Sequence, residues 1–248
     1  MIDTGASNGT ACPVLQVYLL GTVDFEEMLR AQRRLVYDVA GDRDRAVLIL
    51  CEHPPGISVG REGSREHIRC GPTELAARRW PVRWVNRGGG CLLHLPGQLA
   101  IYPIVALDRL GLGLQAYLDH LHAVVADVLG EFDVKATPAP GRAGVWVGGR
   151  RVAHVGVAVN DWVAYFGAAL NVNPDMELLK RVIDGRNGEL PVTSMERERR
   201  APVRPATVRQ RFVEAFRCEF GFGRVSLFPS LPELTRQARI DAVTPRSA

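Results

Sequence analysis

The sequence predicts an α+β fold in which a mainly antiparallel sheet is flanked by helices. Strand-type and helix-type segments follow one another without a regular alternation, which favours this class. Late in the chain, three β-type stretches come in succession at 144–147, 151–159 and 162–172, with turn residues between them. Such a series is typical of an antiparallel meander. We expect the helices to pack on one side of this sheet.

The other elements are predicted from hydrophobic periodicity. Residues 14–20 form a short β-type run, and Asp24 is a candidate N-cap for a helix whose apolar residues have helical spacing from Phe25 to Val39. Residues 46–51 form a continuous apolar run with the length of a buried strand. The further predicted strands are 82–85 and 99–105, and the further predicted helices are 115–129 and 208–220.

Length and composition predict one domain over residues 13–228. A chain of 248 residues with 46% hydrophobic content can bury a sizeable core. Residues 1–12 and 229–248 have the composition of poorly ordered ends. The sequence shows neither a signal-peptide pattern nor a run of about 18 apolar residues, and its five cysteines include no CxxC pair. We therefore expect a cytoplasmic protein with reduced thiols that does not enter a membrane.

Charge and motif spacing argue against several classes of ligand. The net charge is +4, but the arginines are dispersed apart from a cluster at 197–204, so we expect no nucleic-acid partner. The histidines and cysteines lack the spacing of metal ligands. The glycines at 88–90 fit neither a phosphate loop nor a dinucleotide fingerprint. We expect no metal and no cofactor.

The most informative segment is 86–103, which reads NRGGGCLLHLPGQLAIYP. Three successive glycines follow a predicted strand, and because they carry no Cβ they let a ligand approach backbone N–H groups closely. His94 and a Pro-Gly pair precede the next predicted strand. The segment predicts a ligand-binding loop, with plain turn geometry and a structural histidine as the alternatives.

This segment and several others resemble the lipoyl(octanoyl) transferase family. The shared motifs are Glu52-His53-Pro54-Pro55, Val59-Gly60-Arg61, Arg87-Gly88-Gly89, His94-x-Pro96-Gly97-Gln98-Leu99, Tyr102-Pro103, Gly144-Val145-Trp146-Val147, Gly149-Arg150, Gly156-Val157, Ala169-Leu170-Asn171-Val172 and Val192-Thr193-Ser194. They occur in the family's order and spacing, from about residue 14 to about residue 222.

The resemblance implies a fold, a function and a set of site residues. The family shares its α+β fold with lipoate and biotin protein ligases, and its members transfer an octanoyl group from acyl carrier protein to a lysine of a lipoyl domain. The implied partners are therefore octanoyl-acyl carrier protein and lipoyl-domain proteins, and the implied role is octanoyl handling in protein lipoylation. The residues implied for the acyl pocket are Arg87, Gly88, Gly89, Gly90, His94, Gly97, Gly156 and Asn171.

Two positions depart from the family's catalytic pair. The family's lysine lies in a Gly-Arg-Lys segment where this chain has Arg151, and a guanidinium stays protonated at physiological pH, so it cannot act as a base. The family's cysteine accepts the acyl group as a thioester, and its position, counted back from Thr193, falls on Gly185. Smaller departures around the same pocket are Leu92, Leu95 and Phe166.

These departures leave three hypotheses. The first is an acyltransferase that works without the cysteine–lysine pair, by ligase-like activation or direct aminolysis. The second is a catalytically inactive homologue that binds an acyl group or a lipoyl domain. The third is an ATP-dependent enzyme, because Gly88 to Gly90 followed by His94 is similar to the loop of lipoate protein ligases. Cys91 is a candidate replacement nucleophile, although its apolar neighbours favour a buried structural thiol.

Overall fold

The computed structural model describes residues 14–138, 144–183, 191–232 and 234. Three regions for which we made a prediction from the sequence lie outside these residues. They are the start at 1–12, the tail beyond residue 234, and Gly185. No helix within the described ranges is long and apolar enough to cross a membrane.

An eight-stranded sheet forms the centre of the fold. The strands of the described ranges are β1 (Val14–Thr22), β2 (Arg45–Glu52), β3 (Gly56–Val59), β4 (Val82–Trp84), β5 (Cys91–His94), β6 (Gln98–Ala106), β7 (Thr137–Pro138), β8 (Val145–Val147), β9 (Arg150–Asn160), β10 (Val163–Asn171) and β11 (Arg224–Phe228). The central sheet has the order β11-β1-β2-β6-β10-β9-β8-β7. β1 pairs in parallel with β11 and β2, and the other neighbours are antiparallel. The prediction of a mainly antiparallel sheet is confirmed.

The helices follow the predicted hydrophobic periodicity. The helices in the described part of the chain are α1 (Phe25–Gly41), α2 (Pro72–Ala77), α3 (Leu114–Gly130), α4 (Met176–Leu179), α5 (Met195–Arg199) and α6 (Pro205–Glu219). A 3₁₀ turn lies at Arg65–His67. The carboxylate of Asp24 accepts hydrogen bonds from the N–H groups of Glu26 and Glu27 at 2.9 and 3.1 Å. The predicted N-cap of α1 is therefore confirmed.

The long helices lie on both faces of the central sheet, so the expectation that they pack on one side was wrong. α1 packs on one face, and α3 with α6 packs on the other. The apolar run of β2 explains the two layers, because alternate side chains of a strand point to opposite faces. Val47 and Ile49 belong to the core under α1, whereas Leu48 and Leu50 belong to the core under α3 and α6. A strand that is apolar on both faces must be covered on both.

A second sheet of three strands, in the order β4-β3-β5, carries the glycine-rich loop. β3 pairs in parallel with β4 and antiparallel with β5. The loop at 88–90 connects β4 to β5, and Gly88 donates its N–H to the carbonyl of Val157 in β9 at 2.9 Å. The loop therefore lies where the small sheet contacts the central one.

Candidate functional site

Glycines make the close contact between the loop and its neighbours possible. A Cβ on Gly156 of β9 would lie 2.4 Å from the carbonyl oxygen of Gly88, and a Cβ on Gly60 would lie 2.4 Å from that of Gly89. Both distances are far below van der Waals contact, so any larger residue at position 60 or 156 would push the loop away from the sheet.

Arg87 is buried beside this loop among neutral partners. Its guanidinium donates to the carbonyl and hydroxyl oxygens of Ser58 at 2.9 Å each and to the carbonyl of Gly88 at 3.0 Å. Its Nε has no hydrogen-bond partner, and no ion pair within the described residues includes it. Burial lowers the pKa of Arg87 to about 10, so the side chain stays charged at neutral pH. A buried cation of this kind attracts an anion or a developing negative charge.

Three buried histidines belong to the same network as Arg87, and the hydrogen bonds of His154 and His53 define which ring nitrogen accepts. His154 Nε2 lies 3.1 Å from Arg87 Nη1 and must accept, because a guanidinium only donates. His94 Nε2 lies 2.9 Å from the Ser58 hydroxyl, which also accepts a hydrogen bond from Arg87. His53 donates from Nδ1 to a backbone carbonyl at 2.7 Å, which leaves its Nε2 to accept from the Tyr102 hydroxyl at 2.7 Å.

Burial keeps these imidazoles neutral. It lowers the pKa of His53 to about 4. It also lowers the pKa of His94 and of His154 well below the usual 6.5, with a further contribution from the charge of Arg87. Arg151 lowers the pKa of His154 as well. These imidazoles therefore add hydrogen-bonding groups to the site but no positive charge.

Arg151 is the second buried cation of the site. Burial and then repulsion from Arg87 lower its pKa to about 10. Its backbone is held by the segment before α5: its N–H donates to Pro191 at 2.8 Å, and its carbonyl accepts from Thr193 at 2.9 Å. The Asn171 side chain donates to the Thr193 carbonyl at 2.9 Å and accepts from Gln98 at 2.9 Å. These bonds join β6, β9 and β10 to the segment that carries Thr193.

Two small cavities adjoin these groups and share Leu92, His154 and Ala169 as lining residues. The first, called here the Phe166 cavity, has a volume of about 20 Å³, and its further lining includes Phe25, Arg87, His94, Tyr102, Gly156 and Phe166. The second, the Arg151 cavity, has a volume of about 30 Å³, and its further lining includes Cys91, Gln98, Arg151, Asn171, Val182 and Val192. Each has room for about one or two water molecules.

The structure brings most of the residues proposed from the sequence together. Arg87, His94 and Gly156 line the Phe166 cavity, and Arg151 and Asn171 line the Arg151 cavity. The loop residues Gly88, Gly89 and Gly90 form the backbone contacts with β9 and with 60–62.

Two of the residues that the sequence placed in the pocket lie elsewhere. Gly97 has φ +85°, and its carbonyl accepts from the N–H groups of Val172 and Asn173, so it forms a turn outside both cavities. Leu95, directly after β5, packs in the core of the small sheet and lines neither cavity. Successive side chains in extended backbone point to opposite sides, and that of His94 points toward the Phe166 cavity.

His154 and Ser58 are site residues that the sequence reasoning missed. His154 lies two residues before Gly156 on β9, so both face the glycine loop. Gly156 belongs to a motif that was recognised in the sequence. A residue two positions before it on the same strand could therefore have been predicted to face the same loop. Ser58 carried no such signal, since its role depends on the pairing of β3 with β5.

The fold matches that of lipoate protein ligases of known structure. A lipoate-protein ligase A bound with ATP superposes with a TM-score of 0.71 at 15% identity, covering 92% of this chain and 94% of that chain. The bi-partite lipoate protein ligase of Thermoplasma acidophilum gives a TM-score of 0.69 at 16% identity, covering 93% and 92%. The chain therefore has the fold of the lipoate protein ligases.

Sequence similarity identifies the family to which the chain belongs. The family described as Lipoyl protein ligase A/B catalytic domain matches residues 24–217. The octanoyltransferase of Syntrophobacter fumaroxidans is 40% identical over 162 residues, covering 64% of this chain and 69% of that protein. The octanoyltransferase of Geobacter metallireducens is 36% identical over 191 residues, covering 77% and 86%. The chain belongs to the lipoyl protein ligase A/B catalytic domain family. The predicted resemblance to the octanoyltransferases is confirmed, and with it the prediction of an acyltransferase.

Proposed function

We propose that this protein transfers an octanoyl group from a carrier thioester to a lysine of a lipoyl domain without forming a cysteine thioester. One observation supports this most directly: the buried cations Arg87 and Arg151 line two adjoining cavities, on the scaffold of a family whose relatives are octanoyltransferases. The partners we propose are octanoyl-acyl carrier protein and lipoyl-domain proteins. The free thiols of Cys51, Cys70, Cys91 and Cys218 support a cytoplasmic site of action.

The chemistry that fits these residues is direct aminolysis. The neutral amine of the acceptor lysine attacks the thioester carbonyl, a carbon–nitrogen bond forms and the carbon–sulfur bond breaks. The amine proton leaves with the carrier thiolate, since Arg151 cannot accept it. Arg87 and Arg151 stabilise the negative charge that develops on the carbonyl oxygen, and a water-excluded setting strengthens that effect.

Cys91 does not have the surroundings of a replacement nucleophile. It borders the Arg151 cavity, but its thiol donates to the carbonyl of Ser64 at 3.4 Å and packs in the core of the small sheet. Burial raises the pKa of the Cys91 thiol, which lowers its thiolate fraction. We therefore expect no acyl group on this residue.

A second candidate function is ATP-dependent activation of the free acid. The observation that favours it is the same pair of buried guanidinium groups, because together they would hold the phosphate of an acyl adenylate. Repulsion between Arg87 and Arg151 would be relieved by that bound anion.

An acyl transfer assay distinguishes these functions. The full chain is incubated with a lipoyl domain and either octanoyl-acyl carrier protein or free octanoate, each with and without ATP, and the masses of both proteins are then measured by mass spectrometry. We expect octanoylated lipoyl domain from octanoyl-acyl carrier protein without ATP, and no hydroxylamine-labile adduct on this protein. A lipoyl domain that lacks its acceptor lysine is the control.

Each other outcome of the assay selects another hypothesis. Product from octanoate that needs ATP and releases pyrophosphate supports the second candidate. An octanoyl adduct on Cys91 would restore a cysteine mechanism. No product under any condition would reject both enzymatic functions in favour of an inactive binding homologue.

A further inference from the structure

We propose that His122, a residue of α3 outside both cavities, is a positioning residue that holds Arg151 in place through the backbone of Gly144. The proposal rests on the proposed acyl transfer and deepens it, because it adds a residue on which the placement of the buried Arg151 charge depends. His122 lines neither the Phe166 cavity nor the Arg151 cavity. It must therefore act on the site through other residues.

The first observation is a β-bulge in β9 next to Arg151. Val145 of β8 pairs with Ala153 of β9. The next residue of β8, Trp146, pairs with Arg151, so β9 contains one residue more than its partner at this point. As a consequence, Val152 and Ala153 both pack in the core under α3 and α6, although they are neighbours in one strand.

The bulge directs Arg151 into the site. Arg151 and His154 both line the Arg151 cavity, although they lie three residues apart in β9. In a regular strand, residues three apart point to opposite faces of the sheet. The extra residue of the bulge reverses that relation and brings the Arg151 side chain to the side on which His154 lies. The direction of this side chain therefore depends on the local geometry of β8 and β9.

Gly144, the residue before β8, fits closely against the bulge. Its φ of +112° lies in the region that favours glycine. A Cβ at this position would collide with the carbonyl oxygen of Ala153 and would lie 3.0 Å from Cδ of Arg151. The backbone of Gly144 therefore packs against the Arg151 side chain, and a displacement of Gly144 would change the space that this side chain occupies.

His122 holds Gly144 with a hydrogen bond whose direction follows from the other ring nitrogen. His122 Nδ1 lies 2.7 Å from the carbonyl oxygen of Leu118, which can only accept, so Nδ1 carries a proton. In the neutral ring Nε2 is then an acceptor, and the N–H of Gly144 donates to it at 3.2 Å. Burial lowers the pKa of His122, which favours this neutral form. The imidazole therefore joins α3 to the residue that packs on Arg151.

NMR of the wild-type protein tests this hydrogen bond without any substitution. In protein labelled with isotopic nitrogen in histidine, the ring-nitrogen shifts show which nitrogen carries the proton. The His122 signals are assigned as those missing from His122→Asn. We expect a proton on Nδ1 alone at neutral pH. A proton on Nε2 would leave no acceptor for the N–H of Gly144 and would overturn the proposal.

Two substitutions separate the two hydrogen bonds of the ring. The side-chain oxygen of His122→Gln can reach the position of Nε2 and accept from Gly144, whereas the amide of His122→Asn reaches only the position of Nδ1 and can donate to Leu118. We expect kcat for octanoyl transfer to fall by about 10- to 100-fold in His122→Asn, because a group that stabilises developing charge must be placed accurately. The KM for octanoyl-acyl carrier protein should change by less than about twofold. His122→Gln should keep most of the wild-type kcat.

A control variant and a signal of Arg151 make the result specific. His120 lies on the same helix, and its ring pairs with Glu219 instead, so His120→Asn should keep the wild-type kcat. The Nε–H resonance of Arg151, assigned as the one missing from Arg151→Lys, reports the placement of this side chain independently of activity. It should shift in His122→Asn and stay unchanged in His122→Gln.

The outcomes separate this proposal from the proposed function. Equal losses of kcat in His122→Asn and His122→Gln, or an unshifted Arg151 resonance in His122→Asn, overturn the role of His122 and leave acyl transfer standing. Circular dichroism checks the folding of each variant, and a His122→Asn variant that does not fold would overturn a role specific to Arg151. If the wild type transfers no octanoyl group, the proposed function fails, and the His122 and Arg151 resonances decide whether His122 positions Arg151.

Discussion

His154 shows how one side chain can orient a buried cation. Its Nε2 accepts one N–H of Arg87, and its ring lies so close to the glycine loop that a Cβ on Gly89 would be 2.5 Å from Cε1. Burial, and then the charges of Arg87 and Arg151, lower the pKa of His154. His154 is therefore a neutral acceptor that orients Arg87, and we class it as a positioning residue.

Substitution of His154 tests this role. His154→Ala leaves an N–H of Arg87 buried without an acceptor, so we expect the free energy of unfolding to fall by about 1 to 3 kcal/mol. His154→Gln offers an amide oxygen in its place and should recover part of that loss. Urea titration of both variants measures the difference. Equal losses in the two variants would mean that packing, and not the hydrogen bond to Arg87, makes His154 important.

At the residue scale, the sequence predicted the groups that lie within motifs. Arg87, His94 and Gly156 were named from their motifs, and each lines the Phe166 cavity. Ser58 and His154 were missed because they act on Arg87 across 29 and 67 residues of chain. Hydrogen bonds between strands that are distant in sequence cannot be found from local patterns.

Helix α1 contributes to the site as an element, through its first residue. Phe25 lines the Phe166 cavity and lies against His94 with ring centroids 4.5 Å apart. Asp24 fixes where the helix begins, because its carboxylate satisfies two N–H groups of the first turn. The cap therefore positions Phe25 over the site.

Replacing the cap should destabilise the fold by a modest amount. Asp24→Ala removes both hydrogen bonds, and we expect the free energy of unfolding to fall by about 1 kcal/mol. Asp24→Asn keeps an acceptor oxygen and should remain close to wild type. Thermal unfolding of the two variants provides the comparison. If the asparagine variant loses as much as the alanine variant, the carboxylate's charge near the start of the helix, and not capping, stabilises α1.

At the element scale, long periodic segments and strands bounded by clear turn residues were predictable, and several isolated short strands were not. α1, α3 and α6 were found from their helical spacing, and the meander strands β8, β9 and β10 were found from β-type stretches separated by turn residues. β3 and β5 were missed because each has four residues beside glycines or prolines. β11 was missed because its partner β1 lies at the other end of the chain, and no local pattern shows that pairing.

For the molecule as a whole, the buried histidines link the two sheets and make stability depend on pH. His53 follows β2, His94 ends β5 and His154 lies in β9, and their rings or hydrogen bonds connect through Arg87 and Ser58. All three are held neutral by burial. Protonation of His94 or His154 would place a new charge near Arg87, and protonation of His53 would place one in the same buried network, where the charge of Asp24 only partly offsets the cost of burial.

We therefore expect acid to destabilise the fold in the range where histidine titrates. The pKa of His53 is about 4 in the folded protein and about 6.5 in an unfolded chain, so the unfolded chain binds the proton first as the pH falls. The free energy of unfolding then decreases below pH 6.5, and His53 alone accounts for about 2 kcal/mol by pH 5. His94 and His154 act in the same direction. Urea titrations at pH 7.5, 6.0 and 5.0 measure this dependence, with His53→Gln expected to show a shallower decrease. A free energy of unfolding that stays constant from pH 7.5 to 5.0 would show that these histidines are not buried in solution.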